Sequence, residues 1–435
     1  MYYQEAIECM PREELEKLQL ERLKQSLVHA YEKIPFYKER FDAAGADPYA
    51  VKSLTDLAKF PFTVKQDIRD NYPFGMFAAD KKDLKRIHAS SGTTGMATVI
   101  GSTEQDLKNW GDCFARGIAM VGGSEESTIQ ISYGYGLFSG GLGAHLGGEA
   151  MGCAIVPAST GNTKRQVQLM KDFEVDILAC TPSYALRIAD EAIAEGLDPR
   201  TDLKVSGAIL GAEPVSPGMR EEIQEKLGVK YCDVYGLSEV MGPGVAMECG
   251  HGHGMHIAED HFLVEIVDPE TMEPLPVGEW GELIITTLTR ECCPMIRYRT
   301  RDLTRLIPEP CTCGRTHHKL DRLKGRTDDM LIIRGVNVFP SQIEQVITQF
   351  PDVATHYQIV LTTKDGLDNC EVQIETVDDF PFDEIRKLEK LRNDLMAEFK
   401  SNLQIKVNVR IVEPNTIARS EGKAKRIIDK REGLA

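Results

Sequence analysis

The sequence lacks the features that mark membrane, secreted and nucleic-acid-binding proteins. No apolar stretch approaches the roughly 18 residues that a membrane-spanning helix needs. The formal net charge is −16, so the chain has no general attraction for nucleic acid or an anionic membrane. No basic region followed by an apolar run comes after Met1, which argues against a secretory signal. We therefore expect a cytoplasmic protein without a nucleic-acid or membrane partner.

The chain also lacks internal repeats and low-complexity linkers. Its 435 residues suffice for two or three domains, and without a long linker any hinge between them must be short. Eleven cysteines in an unexported chain indicate reduced thiols or metal ligands and not a disulfide framework. A homodimer is compatible with this composition.

One short polar segment, Ser90–Gly95, combines four hydroxyl side chains with two glycines. Glycines let the backbone approach a ligand closely, and successive N–H groups and hydroxyls form a nest for an anion. The segment lacks the lysine that follows the second glycine of a Walker A loop, so it is not that motif. The alternative is a polar surface turn.

Strand and helix patterns alternate between Ser127 and Val234. Val175–Cys180 and Val205–Leu210 are short apolar runs typical of buried strands, and helical patterns separate them. This alternation predicts an α/β fold with a parallel, doubly wound sheet. Ligands of such sheets bind beyond the carboxyl ends of the strands, where Gly211–Pro214 and Tyr235–Glu239 lie.

The pattern changes twice after this sheet. Three short β-type runs follow: Phe262–Val267, Gly281–Thr287 and Asp302–Ile307. They predict a small, mostly antiparallel β-subdomain at about residues 262–326. The remainder has the pattern of a smaller α+β unit. We therefore expect a large N-terminal domain of residues 1–326 and a C-terminal domain of residues 327–435.

Four segments occur in the order found in adenylate-forming enzymes: Ser90–Gly95, Tyr235–Glu239, Tyr298–Asp302 and Gly325–Gly335. They are similar to that superfamily's phosphate loop, its Tyr-Gly-x-[Ser/Thr]-Glu motif, its Tyr-x-[Thr/Ser]-Gly-Asp motif and its Gly-Arg-x-Asp-Asp hinge segment. A Gly-Lys pair follows near the end, at Lys423. One such motif is weak evidence, but the ordered set is strong. The chain thus resembles the superfamily of acyl-coenzyme A synthetases, peptide-synthetase adenylation domains and luciferases.

Further segments narrow the resemblance to the phenylacetate–coenzyme A ligase family. They are Pro35–Tyr37, Phe60–Thr63, Pro294–Thr300, Asn337–Ser341 and Arg419–Arg426, and the likeness covers essentially the whole chain. Arg301 departs from the wider pattern, because it stands where the superfamily usually has glycine. This departure leaves the local turn geometry open but does not affect the neighbouring Asp302.

The resemblance implies an ATP-dependent acid–thiol ligase. It would join an arylacetic acid, with phenylacetate favoured, to coenzyme A through an acyl-adenylate, releasing AMP and pyrophosphate. One alternative is an aryl-acid adenylating enzyme that loads a carrier-protein thiol, and another is a non-catalytic nucleotide-binding sensor. The presence of Lys423 and Glu239 argues against the sensor.

The resemblance also implies roles for individual residues. Lys423 and Glu239 would be catalytic, with Glu239 binding Mg²⁺, a hard cation that prefers oxygen ligands. Tyr235 would stack on adenine, while Asp302 and Arg326 would bind the ribose region. Glu213 would line the adenine pocket; the alternative is a carboxylate that only stabilises the start of a helix. The residues expected to bind ATP or AMP are Ser90, Ser91, Gly92, Thr93, Thr94, Gly95, Gly211, Ala212, Glu213, Pro214, Asp233, Tyr235, Gly236, Leu237, Ser238, Asp302 and Arg326.

The acid pocket is predicted near Tyr133–Gly143, which mixes aromatic residues with glycines. Aromatic walls suit an aryl ring, so Tyr135, Phe138 and Gly211 are the expected lining, although such aromatics are often simply core residues. The segment contains no Arg or Lys to bind a second carboxylate, which favours a monocarboxylic acid.

The resemblance places a hinge at Asp328 and coenzyme A contacts at Arg334, Gly335 and Asn337. The C-terminal domain would swing about this hinge after adenylation, because Lys423 is needed only in the first half-reaction. A short junction reorients a domain only if one or two residues absorb a large change of φ and ψ.

Cysteines and histidines cluster at Cys249–His256 and Cys311–His318. Two such pairs are typical of a structural zinc site, although the Cys-x-Cys spacing is tighter than usual. The preferred ligands are Cys249, His256, Cys311 and Cys313. The alternative is a set of free thiols and surface imidazoles on two glycine-rich loops.

Overall fold

The computed structural model describes residues 1–90, 97–213, 215, 217–327, 331–333, 336–338, 340–364, 367–403, 405–418 and 426–431. The chain folds into two compact units, Met1–Ala212 with Ile223–Arg322 and Glu213–Glu222 with Leu323–Ala435. No helix in the described part of the chain is both long and apolar enough to cross a membrane.

The α-helices are Glu5–Glu8 (α1), Arg12–Lys33 (α2), Pro35–Ala44 (α3), Lys65–Asp70 (α4), Glu104–Met120 (α5), Ser139–Met151 (α6), Thr163–Asp172 (α7), Pro182–Ala194 (α8), Pro217–Leu227 (α9), Pro340–Ile347 (α10) and Ile385–Leu403 (α11). Short 3₁₀ helices cover Pro48–Ala50 and Leu54–Lys59.

The strands are Arg86–Ser90 (β1), Thr98–Ser102 (β2), Thr128–Ile131 (β3), Ala154–Val156 (β4), Ile177–Cys180 (β5), Gly207–Gly211 (β6), Lys230–Leu237 (β7), Gly242–Glu248 (β8), Met255–Ile257 (β9), Phe262–Val267 (β10), Gly281–Thr287 (β11), Tyr298–Thr304 (β12), Leu306–Ile307 (β13), Lys319–Leu320 (β14), Gly325–Arg326 (β15), Leu331–Ile333 (β16), Val336–Val338 (β17), Val353–Lys364 (β18), Leu367–Thr376 (β19), Val407–Val412 (β20) and Ile427–Asp429 (β21).

The larger unit is built on a nine-stranded sheet with the order β13-β14-β9-β8-β7-β6-β5-β3-β4. The five strands from β4 to β7 pair in parallel, so the predicted parallel sheet is confirmed for them. The other four extend the sheet antiparallel, which the sequence analysis did not anticipate. Every residue of β5 and β6 is buried, as expected for central parallel strands covered on both faces.

A separate antiparallel meander of β10, β11 and β12 forms the predicted β-subdomain. The predicted bounds of β10 and β11 are confirmed, whereas the third strand begins at Tyr298 and not at Asp302. The register between β11 and β12 shifts between Glu282 and Ile284, because β12 carries extra residues there. Asp302 therefore lies inside a strand next to a bulge.

The smaller unit contains a four-stranded sheet with the order β20-β19-β18-β21. Leu395 and Phe399 of α11 are fully buried with Ile359 and Val372 of the two central strands. Arg426 donates to Glu344 Oε2 at 2.6 Å and to the hydroxyl of Tyr357. The backbone is thereby anchored three residues after Lys423.

A buried charge network joins α5 to the segment between β9 and β10. Both terminal nitrogens of Arg116 donate to the carboxylate of Asp260, at 2.7 and 2.9 Å. The ring of His261 lies 3.1 Å from the same carboxylate. Burial by itself would lower the pKa of His261, but the Asp260 charge raises it to about 10, and the pKa of Asp260 lies well below its usual value. The network therefore holds two cations and one anion away from water.

Candidate active site and Cys/His cluster

The β1–β2 hairpin flanks the predicted phosphate loop. Ser90 pairs with Thr98 at the last register position of the two strands. Ser91, Gly92, Thr93, Thr94 and Gly95 lie outside the described residues. Their role in binding pyrophosphate stays a prediction.

The residues before this loop are bonded to the predicted acid-pocket segment. The backbone N–H of Ala89 donates to the carbonyl of Leu137 at 3.1 Å, and Nδ1 of His88 lies 3.1 Å from the same oxygen. His88 is buried and meets Trp110 edge-to-face at 5.5 Å, and burial lowers its pKa. His88 is therefore a packed histidine that ties the aromatic segment to β1.

The two aromatics predicted to line the acid pocket have different surroundings. Tyr135 is half-buried, its hydroxyl lies 3.2 Å from Nδ1 of His145, and burial raises its pKa to about 12. Phe138 is 56% exposed, beside the exposed Leu137. The core-aromatic alternative therefore fits the buried Tyr133 but not Phe138. An apolar surface is available to a ligand beside β1.

The ends of β6 and β7 need glycines for steric reasons. A Cβ on Gly211 would lie 2.3 Å from the carbonyl oxygen of Val234, and one on Gly236 would lie 1.8 Å from that of Gly242. Ala212 follows with φ of 69°. Glu213 is half-buried, and Pro214 lies outside the described residues. The glycines thus allow the close chain packing at the carboxyl ends where a ligand is expected.

The second and third predicted motifs meet through one hydrogen bond. The hydroxyl of Tyr235 donates to Oδ2 of Asp302 at 2.6 Å, and both residues are buried. Nearby, the hydroxyls of Ser238 and Ser139 are 2.7 Å apart. Asp233 and Leu237 are half-buried on the same strand. Residues that lie far apart in the sequence are therefore brought to one end of β7.

The geometry around Arg301 gives a physical reason for the glycine that the superfamily usually has there. Arg301 has φ of 69°, in the left-handed region that favours glycine. Its guanidinium lies 3.7 Å from the fully buried Glu282, which also accepts from Arg299 at 2.7 Å. The ion pair offsets part of the backbone strain.

Glu239, the predicted Mg²⁺ ligand, has a partner that the sequence analysis missed. Its Oε1 lies 3.0 Å from Nζ of Lys65, at the first residue of α4. The only sequence signal was that Lys65 comes two residues after Phe60–Thr63, one of the segments that carry the family resemblance.

The predicted residues of the smaller unit are only partly described. Lys423, Asp328, Arg334 and Gly335 lie outside the described residues, so their roles stay predictions. Asn337 belongs to β17, where its backbone pairs with Ile332. Arg326 is half-buried in β15.

The structure brings together the four predicted zinc ligands. The ligand atoms of Cys249, His256, Cys311 and Cys313 all lie within 4.8 Å of one another. Nε2 of His256 is 3.3 Å from Sγ of Cys313, and Sγ of Cys249 is 3.6 Å from Sγ of Cys311. The other histidines of the two clusters are not part of this group: for example, His251 is exposed, whereas His256 is buried.

Three features prepare this cluster for a metal. Nδ1 of His256 lies 2.9 Å from the carbonyl of His317, which orients Nε2 toward the thiols. The Cys249 thiol, followed in importance by His256, lowers the pKa of Cys313 to about 2, while the pKa of Cys249 is raised. Pairing of β9 with β14, with His256 opposite Lys319, holds the two loops together. Three sulfur ligands and one imidazole match the donor set of structural zinc.

Comparison with known proteins matches both parts of the chain to one family. Residues 16–289 match the model described as AMP-binding enzyme, and residues 335–431 match the AMP-binding enzyme C-terminal domain. Phenylacetate-coenzyme A ligase of Thermus thermophilus is 47% identical over 447 residues, covering 99% of this chain and 100% of the relative. The Escherichia coli enzyme of the same name is 48% identical, covering 98% and 97%.

Solved structures agree with this assignment. 2-Hydroxyisobutyryl-CoA ligase in its postadenylation state, in complex with R3-HIB-AMP, superposes with a TM-score of 0.91 at 29% identity, over 98% of this chain and 92% of that one. A structure of the same enzyme in the thioesterification state, with 2-HIB-AMP and CoA, gives a TM-score of 0.74 at 30% identity, over 99% and 93%. Both are CoA ligases bound to an acyl-adenylate.

Proposed function

The chain belongs to the phenylacetate–coenzyme A ligase family of AMP-binding enzymes, and from that premise we propose that phenylacetate, or a close arylacetic acid, is its substrate. It is an acid–thiol ligase that uses ATP and coenzyme A. The observation that carries the choice of acid is the 47% identity to the Thermus thermophilus enzyme over nearly both full chains. The exposed ring of Phe138 and the half-buried ring of Tyr135 support an aryl acid.

The proposed reaction has two steps. A carboxylate oxygen of the acid attacks the α-phosphorus of ATP, and pyrophosphate leaves with the electron pair of the broken P–O bond. The deprotonated thiol of coenzyme A then attacks the acyl carbon, and AMP leaves. Forming a mixed anhydride splits one difficult acyl transfer into two easier steps.

We propose that the end of β7 binds the adenosine part of the nucleotide. Asp302, held by the Tyr235 hydroxyl at 2.6 Å, would accept hydrogen bonds from the ribose hydroxyls. Gly211–Glu213 would line the adenine pocket, and Arg326 would donate to the ribose region. Residues 90–95 would hold the phosphates.

Glu239 is the proposed Mg²⁺ ligand. Its buried carboxylate is a hard oxygen donor at the carboxyl end of the sheet, which fits a cation that also binds phosphate. A bound Mg²⁺ would neutralise charge on the triphosphate. Among the described residues, Lys65 supplies the one ion pair that Glu239 makes.

The C-terminal unit is proposed to move between the two steps. Lys423 would reach the carboxylate–phosphate junction as a point charge during adenylation. A turn about Asp328 would then withdraw Lys423 and bring Arg334, Gly335 and Asn337 toward coenzyme A. The longer of the two segments that form the smaller unit begins at Leu323, which supports a pivot nearby. Asp328→Pro, which fixes φ near −65°, should leave one half-reaction and abolish the other. Parental rates in both would exclude this pivot.

The Cys/His cluster is proposed to hold one structural zinc ion. The bonds around the cluster support a structural role, because the backbone carbonyl of Cys313 accepts from the hydroxyl of Tyr2 and Arg315 donates to Glu8 at 2.6 Å. A metal would thus stiffen the loop that fixes the N-terminal residues.

Metal analysis tests the zinc proposal directly. Protein purified without added zinc should contain about one zinc per chain, and Cys311→Ser should lose it. The matched control is Cys153→Ser, which removes a half-buried thiol outside the cluster and should keep the metal. Zinc-free protein whose three cluster cysteines, Cys249, Cys311 and Cys313, are freely alkylated in the native state would contradict the site.

We also propose a cytoplasmic location and no nucleic-acid partner. The eleven cysteines are free thiols, which is compatible with a reducing compartment. The net charge of −16 disfavours nucleic acid. A homodimer is compatible with these features, and sedimentation velocity would measure it.

A panel of acids tests the substrate proposal. Thioester formation is followed with phenylacetate, hydroxyphenylacetate, benzoate and a fatty acid, each with coenzyme A or with a carrier protein bearing a phosphopantetheine thiol. Phenylacetate with coenzyme A should give the highest kcat/KM. Preference for a carrier protein or for the fatty acid would contradict the proposal.

A further inference from the structure

Lys65 is held against the proposed Mg²⁺ ligand although much of its side chain is in water. Its Nζ lies 3.0 Å from Oε1 of Glu239, and the side chains are 39% and 7% exposed, respectively. Lys65 supplies the counter-charge of the buried Glu239, and fixing its half-exposed side chain costs entropy. An exchange of this ammonium group for another cation at Glu239 would therefore keep the carboxylate neutralised.

The backbone at the root of Lys65 is rigidly attached to the strand that carries Asp302. The N–H of Thr63 donates to the carbonyl of Arg297 at 3.1 Å, and the N–H of Arg299 donates to the carbonyl of Thr63 at 2.9 Å. The buried hydroxyl of Thr63 donates to the carbonyl of Ile296 at 2.7 Å. The half-exposed side chain of Lys65 thus extends from a backbone that is fixed next to the strand carrying Asp302.

We propose that Lys65 is a catalytic residue of adenylation: its ammonium neutralises Glu239 in the ligand-free enzyme and moves to the phosphates of ATP when Mg²⁺ takes that carboxylate. This inference rests on the proposed function. A lysine carries three donors on a flexible four-carbon stem, which suits such a transfer. Without the transfer, Mg²⁺ and the ammonium would compete for one oxygen.

The role of the transferred charge follows from the bonds that change. The acid's carboxylate oxygen forms a bond to the α-phosphorus while the bond to the pyrophosphate oxygen breaks, and that oxygen leaves with the electron pair. No proton moves in this step. Negative charge grows on the leaving pyrophosphate, and a cation already positioned nearby lowers the barrier.

Magnesium dependence separates this role from a structural one. Lys65→Gln keeps most of the length of the side chain but removes the charge. It should slow pyrophosphate release by about 100-fold, as expected for the loss of one electrostatic donor. The half-saturating Mg²⁺ concentration should fall several-fold, because the competitor for Glu239 is gone. Lys65→Arg should recover part of the rate, and thioester formation from added acyl-adenylate should not change.

Lys59→Gln is the matched control. Lys59 lies six residues earlier and pairs with Asp56 at 2.7 Å in a 3₁₀ helix. Its loss should alter neither the rate of pyrophosphate release nor the half-saturating Mg²⁺ concentration. Calorimetric titration of the ligand-free protein with Mg²⁺ alone gives a readout that needs no turnover, and Lys65→Gln should bind more tightly than the parent.

Two results would overturn the inference. Parental pyrophosphate release by Lys65→Gln would show that the lysine does not act on the phosphates. Weaker Mg²⁺ binding by the variant would show that Lys65 positions Glu239 and does not exchange with the metal. A parent enzyme that releases no pyrophosphate with any acid would refute the proposed function, while the calorimetric titration would still decide the exchange.

Discussion

Arg116 and Asp260 form an ion pair in which the side chains are 5% and 4% exposed, whereas Lys65 keeps 39% of its side chain exposed beside Glu239. Arg116 donates two hydrogen bonds to one carboxylate, a geometry that fixes both groups. Lys65 makes one contact through a flexible stem. The geometry of the Arg116–Asp260 pair suits a permanent ion pair, whereas that of the Lys65–Glu239 pair suits one in which another cation can replace the lysine.

This difference shows how one kind of interaction serves two purposes in the same unit. Charges that are buried and fully paired are costly to break, so the Arg116 network should act on stability. Lys65 is half-exposed and can leave the buried Glu239 when another cation replaces it, so the Lys65 pair can act on chemistry. Substitutions in each region test whether stability and chemistry divide in this way.

Breaking the buried network should have the largest effect. Asp260→Asn leaves Arg116 and His261 buried without a counter-charge, and we expect it to lower the free energy of unfolding by about 3–5 kcal/mol. Denaturant unfolding measures this. Glu13→Gln, which breaks the exposed pair with Lys17, is the control and should cost less than about 1 kcal/mol. Equal losses of unfolding free energy in Asp260→Asn and Glu13→Gln would show that the buried network contributes no more stability than an exposed ion pair.

The same network should have a characteristic pH dependence. The pKa of His261 is raised from 6.5 to about 10, so its contribution to stability is complete below pH 6.5 and is lost as the pH rises through about 10. The difference in unfolding free energy between the parent and His261→Gln should therefore shrink from pH 6 to pH 10. A difference that is constant over this range would mean that His261 is not a buried cation.

Lys423→Ala should affect chemistry and leave stability unchanged. We expect adenylation to slow by about 100-fold or more, since one electrostatic stabiliser is lost, while thioester formation from added acyl-adenylate survives. Half-reaction kinetics measure both steps. Lys390→Ala, which removes an exposed lysine paired with Asp394 in the same unit, is the control. Equal loss in both half-reactions would assign Lys423 a structural role.

Tyr235→Phe probes the buried hydrogen bond to Asp302, which we propose positions this carboxylate for nucleotide binding. The hydroxyl that donates to Asp302 is lost, and we expect the KM for ATP to rise about 10-fold because the carboxylate is less well positioned. Steady-state kinetics with varied ATP provide the measurement. Tyr31→Phe removes a similar bond to Asp42 on the surface and should change nothing. An unaltered KM in Tyr235→Phe would show that this bond does not serve nucleotide binding.

The smallest effect is expected from Arg301→Gly. Glycine relieves the strain of φ at 69° but loses the contact with Glu282, so the unfolding free energy should change by less than about 1 kcal/mol. Thermal unfolding measures this change. A loss above about 2 kcal/mol would show that Arg301 holds the bulge through its charge.

The sequence predicted elements whose chemistry is local. β10 and β11 have the predicted bounds because apolar patterns and turn residues delimit them. α6 was not predicted, because its many glycines are atypical of a helix. Two of these glycines leave room for the side chains of Trp110 and Phe114.

In the candidate site too, residues marked by local motifs were predicted, whereas a long-range contact was missed. Motif order placed Tyr235, Glu239 and Asp302 in one site, and the structure brings the first and third within 2.6 Å. Residue chemistry and spacing also selected the four members of the Cys/His cluster. Lys65 was missed because nothing around a single lysine in the sequence shows which carboxylate it will meet. Long-range contacts of this kind become visible only in three dimensions.

The nucleotide product decides whether the enzyme forms an acyl-adenylate at all. Phosphorus NMR of a mixture of enzyme, Mg²⁺, ATP, phenylacetate and coenzyme A should show AMP and pyrophosphate formed in equal amounts with the thioester. Omitting the acid should stop ATP consumption. Formation of ADP and inorganic phosphate would contradict an acyl-adenylate mechanism.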